Sequence, residues 1–148
     1  MVSVRLAQVA DSQAIYDLIY ELAVFEKAPE QMVNTVEAIK RDGFGAEPAF
    51  ICFIAESDGK ICGMSLCYIR YSTWKGKVLY LEDLIVTSSE RGKGIGKKLF
   101  EYTLAHAREQ DYARVQWQVL DWNQSAIDFY QVFNAGFDAE WLNAWVDL

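Results

Sequence analysis

An apolar segment that runs into a glycine-rich turn and then into an amphipathic helix constrains this chain more than any other feature. The apolar segment is Leu79–Val86, and it carries two carboxylates, Glu82 and Asp83. The turn is Arg91–Lys97, and the helix after it has apolar residues at helical spacing: Ile95, Leu99, Phe100, Leu104 and Ala107. A strand, a bare turn and a helix N-terminus together predict an anion site, because unpaired N–H groups and the positive end of the helix dipole point at the ligand.

Two common phosphate-binding motifs do not fit this turn. A Walker A loop that uses Gly96 and Lys97 would need glycine at position 91 and a hydroxyl at position 98, and the chain has neither. A dinucleotide fingerprint that begins at Gly92 would need glycine at position 97. The remaining pattern is Arg-x-x-Gly-x-Gly, which starts at Arg91. This pattern resembles the pyrophosphate loop of the GNAT superfamily of acetyl-CoA-dependent N-acetyltransferases.

Length and composition limit the class of protein. A chain of 148 residues with 52% hydrophobic content predicts one domain, 1–148, with a proper core. No apolar run approaches the ~20 residues of a membrane span and no signal-peptide pattern is present, so we expect a cytoplasmic protein that does not bind membranes. The net charge of −7 argues against nucleic-acid binding and suits cationic substrates, although an acidic surface alone indicates only solubility. Positive residues cluster against this trend at the glycine-rich turn: Arg91, Lys93, Lys97 and Lys98.

The cysteines and the single histidine indicate no metal site. Cys52, Cys62 and Cys67 lie in apolar, strand-like stretches, their number is odd, and no Cys-x-x-Cys pair exists. They are predicted to be buried free thiols. His106 lies in the middle of a predicted helix, which indicates a structural or surface role.

Hydrophobic periodicity predicts the order β-α-α-β-β-β-α-β-α-β, with an optional seventh strand. Asp11 is predicted to cap the first helix, and Asn34 the second, with Glu37 in a capping-box-like pattern. Later segments predict a strand over 115–119, a last helix capped by Asn123, and a final pair of short strands around Phe137 and 144–146. An antiparallel meander followed by β-α-β-α predicts an α/β fold with a mixed sheet, six to seven strands and about four helices.

The resemblance extends from about position 20 to position 130 and sharpens beyond the superfamily. Six blocks stand in order: Glu21–Glu26, Asp42–Gly45, Tyr71–Gly76, Tyr80–Asp83, Arg91–Gly96 and Asp121–Tyr130. Together they resemble the diamine (spermidine/spermine) N-acetyltransferase family. Ser72–Gly76 and Leu120–Gln124 look closer to its thialysine Nε-acetyltransferase branch. The polyamine branch has aspartate at the position of Ser72, and this departure argues against spermidine and spermine as the best substrates.

The resemblance implies how acetyl-CoA binds. In this fold the motif strand and the next strand splay apart, and the cofactor arm lies between them. The backbone of Leu84, Ile85 and Val86 would pair with the pantetheine arm. The loop would hold the pyrophosphate, and the start of the last helix would touch the cofactor. The implied cofactor residues beyond the strand are Arg91, Gly92, Lys93, Gly94, Ile95, Gly96, Lys97, Asn123 and Ser125.

The catalytic assignments follow from the same resemblance and from proton chemistry. An alkyl amine has a pKa of ~10.4 and arrives protonated, so attack needs a base. Glu82 is the candidate base, acting through a water, and Tyr130 matches the family's general acid for the departing thiolate. Strand alternation puts Glu82 and Asp83 on opposite faces unless a bulge intervenes, so one of them is expected to face the amine.

The substrate side has open alternatives. Glu26 and Asp83 are candidates for binding the substrate's cationic groups, with Phe25 and Trp74 as walls. Phe25 and Trp74 are equally explained as core or dimer-interface aromatics. Other candidate groove residues are Gln116 and Gln118, and Glu140 is a further acidic candidate.

The sequence therefore predicts an acetyl-CoA-dependent N-acetyltransferase. The acceptor would be a primary amine of a small cationic molecule, a thialysine- or lysine-like amino acid or a diamine or polyamine, attacking directly in a ternary complex. The alternatives are a protein or peptide N-acetyltransferase and a non-catalytic acyl-CoA-binding module. The family resemblance also implies a homodimer. The sequence does not decide the physiological amine or the range of acyl chains.

Overall fold

The structure is a computed structural model that describes all residues, Met1–Leu148. The helices and strands in chain order are β1 Val2–Leu6, α1 Ser12–Phe25, α2 Val36–Phe44, β2 Ile51–Ser57, β3 Lys60–Ser72, β4 Gly76–Val86, α3 Ile95–Glu109, β5 Val115–Gln116 and α4 Gln124–Gln131. The chain divides into two compact units, Met1–Trp117 and Gln118–Leu148. The single domain over 1–148 therefore stays a prediction. None of the helices is both long and apolar enough to cross a membrane.

A five-stranded sheet organises the first unit, in the order β1-β2-β3-β4-β5. The first four strands pair antiparallel with their neighbours, and β5 runs parallel to β4. The predicted α/β class with a mixed sheet and four helices is confirmed. The strand count is five, below the six to seven predicted.

The two faces of the sheet carry separate clusters of buried side chains. Helices α1 and α2 cover one face, where Ile15 and Ile39 pack with Ile54, Met64 and Ile85. Helix α3 covers the other face. Its buried residues Ile95 and Leu99 pack there with Phe53, Ala55 and Cys62. Apolar spacing of 3.6 in the helices and 2 in the strands produces these two layers.

A buried pair of hydroxyls fixes α3 against β3. The Ser65 and Thr103 hydroxyl oxygens are 2.7 Å apart, and both residues are fully buried. Thr103 donates its proton to the Leu99 carbonyl at 2.8 Å, so Ser65 must be the donor to Thr103. Since a slide of α3 would leave these buried groups unpaired, the bond sets where the N-terminus of α3 lies.

Two helix caps differ from the prediction. Thr35, and not Asn34, caps α2: its hydroxyl accepts from the Ala38 N–H at 3.1 Å, while Asn34 accepts from the Thr35 N–H. Asp11 precedes α1 but makes no cap bond to it. Its carboxylate instead accepts two bonds from Arg5, at 2.8 and 3.0 Å. These ionic bonds hold the pKa of Asp11 below its usual range.

The C-terminal prediction is wrong in its strands. The strand predicted over 115–119 is limited to Val115–Gln116, and the segments around Phe137 and 144–146 form none. Alternating apolar residues form a strand only where another strand pairs with their backbone, which a sequence window does not reveal. Trp141 and Trp145 in this segment are 78% and 79% exposed.

Candidate active site

One extra residue in β4 decides how its carboxylates are arranged. Leu66 of β3 faces Asp83 and Cys67 faces Leu81, so Glu82 has no partner on β3 and forms a β-bulge. Asp83 shares the face of Leu66, which packs in the cluster under α1. Because of this bulge, strict alternation no longer puts Glu82 and Asp83 on opposite faces of β4.

Three carboxylates gather where this bulge meets the end of α1. Asp83 is half-buried, and burial together with the negative charges of Glu82 and Glu26 raises its pKa to about 7. Glu26 directly follows α1, and burial raises its pKa as well. Like charges this close attract a cation and favour proton uptake, which is the pattern of a functional carboxylate site.

Two tyrosines of β3 and β4 lie beside the Glu82 carboxylate. Tyr68 and Tyr80 face each other across β3 and β4, with ring centroids 5.1 Å apart. Burial and the negative charge of Glu82 raise the pKa of Tyr68 to about 12. Burial and the Glu82 charge also raise the pKa of Tyr80. Both phenols therefore stay protonated at neutral pH and can donate hydrogen bonds to a carboxylate or a water.

The glycine-rich turn has open space beside its backbone. Gly92 and Gly94 both have φ of 77°, in the left-handed region, and a Cβ at either would meet no atom within 4 Å. Gly94 is the N-cap of α3 and offers no side-chain cap, and the first helical bond joins Lys98 N–H to its carbonyl at 3.1 Å. The N–H groups of the first turn of α3 are therefore left for a ligand anion.

The cations of the turn have weak or partial partners. Lys93 Nζ lies 2.9 Å from a carboxylate oxygen of the half-buried Glu90, and Lys97 Nζ lies 3.8 Å from the exposed Glu101; both lysine side chains are exposed. Exposed pairs of this kind contribute little, so both ammonium groups can turn to a phosphate. Lys98 Nζ reaches the Val2 carbonyl at 3.4 Å.

Helix α1 contacts the segment before this turn and the first residue of the turn. The Glu21 carboxylate accepts from the Thr87 hydroxyl and from the Ser88 N–H, each at 2.8 Å. Arg91 donates from Nε to the Val86 carbonyl at 2.8 Å, and its guanidinium lies 5.1 Å from the centroid of the Phe25 ring. The turn is thus attached to α1 as well as to β4.

The edge of β4 that leads to the turn has no partner strand. β5 pairs with β4 only at Leu79 and Tyr80, so the segment that contains Leu84, Ile85 and Val86 pairs with β3 alone. A chain with alternating donors and acceptors can add to such an edge as a further strand would.

The remaining predicted residues of the first unit lie elsewhere. Gln116 faces Tyr80 across β4 and β5. Trp74 lies in the β3–β4 turn, where the Ser72 hydroxyl accepts from its N–H, and its side chain is 88% exposed. Along β4 this turn is ~20 Å from Glu82 at the usual rise per residue. The chain therefore brings Glu26, Glu82 and Asp83 together, and does not bring Trp74 to them.

The second unit carries the residues predicted for the last helix. Asn123 caps α4, its side-chain oxygen accepting from the Ala126 N–H at 3.2 Å, and Ser125 lies in the first turn. Tyr130 is buried, at 8% exposure. Among the substrate candidates of this unit, Gln118 donates to Asn143, and the Glu140 N–H donates to Asp138.

Three residues next to the carboxylates or the turn were not predicted: Glu21, Tyr68 and Tyr80. Glu21 stands between the inward-facing Leu18 and Leu22 of α1, and a carboxylate beside an apolar stripe is a signal that could have found it. The tyrosines give no such signal, because aromatic residues are common in ordinary strands.

No histidine, cysteine and carboxylate group is arranged to hold a metal ion. Cys52, Cys62 and Cys67 are buried free thiols. Burial raises the pKa of Cys67 to about 12 and that of Cys52 further, so neither is a ready thiolate nucleophile. The His106 ring packs 5.0 Å from that of Phe53, which fits the first of the two predicted roles, structural or surface.

Comparison with known proteins identifies the family. The model of the acetyltransferase (GNAT) family matches residues 13–137, most of the chain. This chain belongs to the acetyltransferase (GNAT) family. It is therefore an acyltransferase, and acetyl-CoA is the cosubstrate of its family.

The relatives of this GNAT protein agree with the predicted branch. It is 38% identical over 142 residues to the thialysine N-epsilon-acetyltransferase of Bos taurus, covering 90% of this chain and 84% of the relative. It is 37% identical over 134 residues to spermidine/spermine N(1)-acetyltransferase-like protein 1 of Homo sapiens, covering 86% of this chain and 19% of that protein. The resemblance to the diamine acetyltransferases and their thialysine branch is confirmed.

A solved structure supports the GNAT fold. An aminoglycoside acetyltransferase from an uncultured soil metagenomic sample superposes with a TM-score of 0.81, covering 99% of this chain and 96% of that one. At 20% identity this likeness concerns the fold alone.

Proposed function

We propose that this GNAT enzyme transfers the acetyl group of acetyl-CoA to a primary amine of a small cationic molecule, a thialysine- or lysine-like amino acid or a diamine. The observation that carries the proposal is the cluster of Glu26, Glu82 and Asp83 beside the unpaired edge of β4. An acidic site of this kind suits an amine that bears a further positive charge. The names of the relatives support the same class of acceptor.

The glycine-rich turn and β4 fit the donor. The positive φ of Gly92 and Gly94 and the space beside them leave room for a diphosphate, and the uncapped start of α3 offers it N–H donors. Arg91, Lys93 and Lys97 would add positive charge, and Leu84 to Val86 would pair with the pantetheine arm. When bound, acetyl-CoA supplies the activated acetyl group.

The chain's own acidic residues handle the amine proton in this proposal. The ammonium group of the acceptor enters the carboxylate cluster, where Glu26 binds the distal cation and the Glu82–Asp83 pair takes the proton, Glu82 through a water. A carboxyl whose pKa is about 7 is well matched to a base that works at neutral pH. The freed amine then attacks the acetyl carbonyl directly, within a ternary complex.

Tyr130 is the proposed acid. A phenol with an ordinary pKa of ~10 can protonate a thiolate whose conjugate acid has a pKa of ~8.5. The assignment comes from the family pattern that joins Asn123 to Tyr130. Asn123 acts as the N-cap that starts this helix.

Thiol release from acetyl-CoA tests the proposed function. The panel is thialysine, lysine, ornithine, putrescine, spermidine and spermine, with Tyr130→Phe beside the wild type. We expect turnover with one class of amine and a loss of about 10²-fold or more in the variant, as for removal of a general acid. CoA binding without thiol release from any amine would contradict the proposal and favour a protein acceptor or a binding module.

Cytoplasmic location and a homodimer belong to the same proposal. Buried free cysteines suit a reducing compartment. The exposed Trp141 and Trp145 provide apolar surface that a second copy can cover. Sedimentation of the purified chain measures the oligomeric state directly.

A further inference from the structure

The last turns of α1 hold the loop that precedes α3 at two points. Glu21 accepts hydrogen bonds from the side chain of Thr87 and the backbone of Ser88, each at 2.8 Å. Phe25, one turn further along the same helix, lies under the guanidinium of Arg91 at 5.1 Å. Because residues four apart lie on the same face of a helix, one stripe of α1 contacts both ends of this loop segment.

Two features of these contacts define the geometry of the loop. A carboxylate that accepts two bonds, one from a backbone N–H, is a charge-assisted arrangement with fixed geometry. The Arg91 guanidinium is oriented by the Phe25 ring on one side and by its Nε bond to the Val86 carbonyl. Its terminal N–H groups make no bond to a neighbouring carboxylate, so they remain available for a phosphate.

We propose that Glu21 and Phe25 are positioning residues for the diphosphate of the acyl donor: they hold the loop and Arg91 in the binding geometry before the ligand arrives. This gives Phe25 a role different from the substrate wall predicted from the sequence. The inference rests on the proposed function in one respect, namely that the loop binds CoA.

The physical basis is preorganisation. A loop that is already ordered loses less conformational entropy when the phosphates bind, so its contacts appear in the affinity for the donor. The acceptor amine binds at carboxylates that these bonds do not touch. The expected signature is therefore weaker CoA binding with an unchanged KM for the amine.

Calorimetric titration of the full chain with CoA tests the inference without requiring an acceptor. Glu21→Gln replaces one acceptor oxygen by an amide, and we expect the Kd for CoA to rise about tenfold. Thr87→Val is expected to raise the Kd about threefold, while the matched control Thr87→Ser keeps the hydroxyl and the wild-type Kd. Asp17→Asn, an exposed charge change on the same helix, is expected to leave the Kd unchanged.

The Phe25 variants separate the two roles of this ring. Phe25→Leu removes the cation–π contact but keeps apolar bulk, and we expect a rise of about threefold in the Kd for CoA. Phe25→Tyr keeps the aromatic ring and should have the wild-type Kd for CoA. A change confined to the KM of the amine would overturn the positioning role and return Phe25 to the substrate wall.

Failure of the inference can be distinguished from failure of the proposed function. Normal CoA binding by the wild type with unchanged Kd in Glu21→Gln, Thr87→Val and Phe25→Leu overturns the inference alone. Absence of CoA binding by the folded wild type overturns the proposed function and the inference together. Thermal unfolding of each variant establishes that the titrated protein is folded.

Discussion

Asp83 carries an energetic cost that depends on pH. Its pKa is raised to about 7 by burial and by the charges of Glu82 and Glu26. Between the ordinary carboxyl pKa of ~3.9 and 7 the folded chain holds this proton and the unfolded chain does not. Binding of this proton by Asp83 therefore stabilises the folded chain; the stabilisation is complete below about pH 4 and is lost as the pH rises through 7.

Asp83→Asn is expected to remove this dependence. The free energy of unfolding of the variant minus that of wild type should be about 2–4 kcal/mol larger at pH 8 than at pH 4. Urea unfolding at both pH values measures it. The control is Asp17→Asn on the exposed face of α1, whose difference from wild type should not vary in this way. An Asp83→Asn difference that is equal at both pH values would contradict the raised pKa.

At the scale of elements, the bulge in β4 is an added residue in an otherwise regular ladder. Leu81 lies on the face of Cys67, towards α3, and Asp83 lies on the face of Leu66, towards α1. Without Glu82 these two residues would be consecutive and would still alternate correctly. The bulge is therefore not needed for packing, which indicates a functional reason for it.

Deletion of Glu82 tests whether the bulge has a functional role. We expect a folded protein whose free energy of unfolding is within about 1 kcal/mol of wild type, because the ladder becomes regular. Acetyl transfer should fall about 10²-fold or more, since one of the two carboxylates proposed to take the amine proton is gone. Glu82→Gln is the matched control that keeps the bulge and loses the charge. A deletion variant that fails to fold, or that keeps full activity, would contradict the interpretation.

The elements differ in how far the sequence predicts them. Strong periodicity was enough for α1, α3 and the β2–β4 meander, because each buries one face or both in a way that a short window shows. The Glu82 bulge was not placed, because it depends on pairing with Leu66 and Cys67 of another strand. The cap of α2 was misplaced by one residue because Asn34 and Thr35 are both good cap residues.

The candidate site shows the same division. The glycine-rich turn was predicted because its residues are contiguous and their chemistry is local. The meeting of Glu26 with Asp83 joins the end of α1 to β4, and the Glu21 bonds join α1 to Thr87. Such contacts between distant segments follow from tertiary packing, which no single window of sequence contains.

At the scale of the whole molecule, the net charge of −7 acts on the approach of a cation. An acidic protein attracts a cationic acceptor from a distance, and salt screens that attraction. With acetyl-CoA saturating, kcat/KM for putrescine should fall about 3–10-fold between 20 and 300 mM salt. The fall should be smaller for thialysine, whose carboxylate lowers its net charge. A salt dependence that is flat for both would contradict steering by the acidic surface.

The partnerless edge of β4 has a consequence for how the purified protein behaves on storage. Backbone donors and acceptors without a partner strand are a template for pairing with another molecule, and concentrated solutions bring such edges together. In our proposal the pantetheine arm occupies this edge. Bound CoA would then cover this edge and prevent it from pairing with another molecule. Stocks kept with CoA should therefore become turbid later than ligand-free stocks.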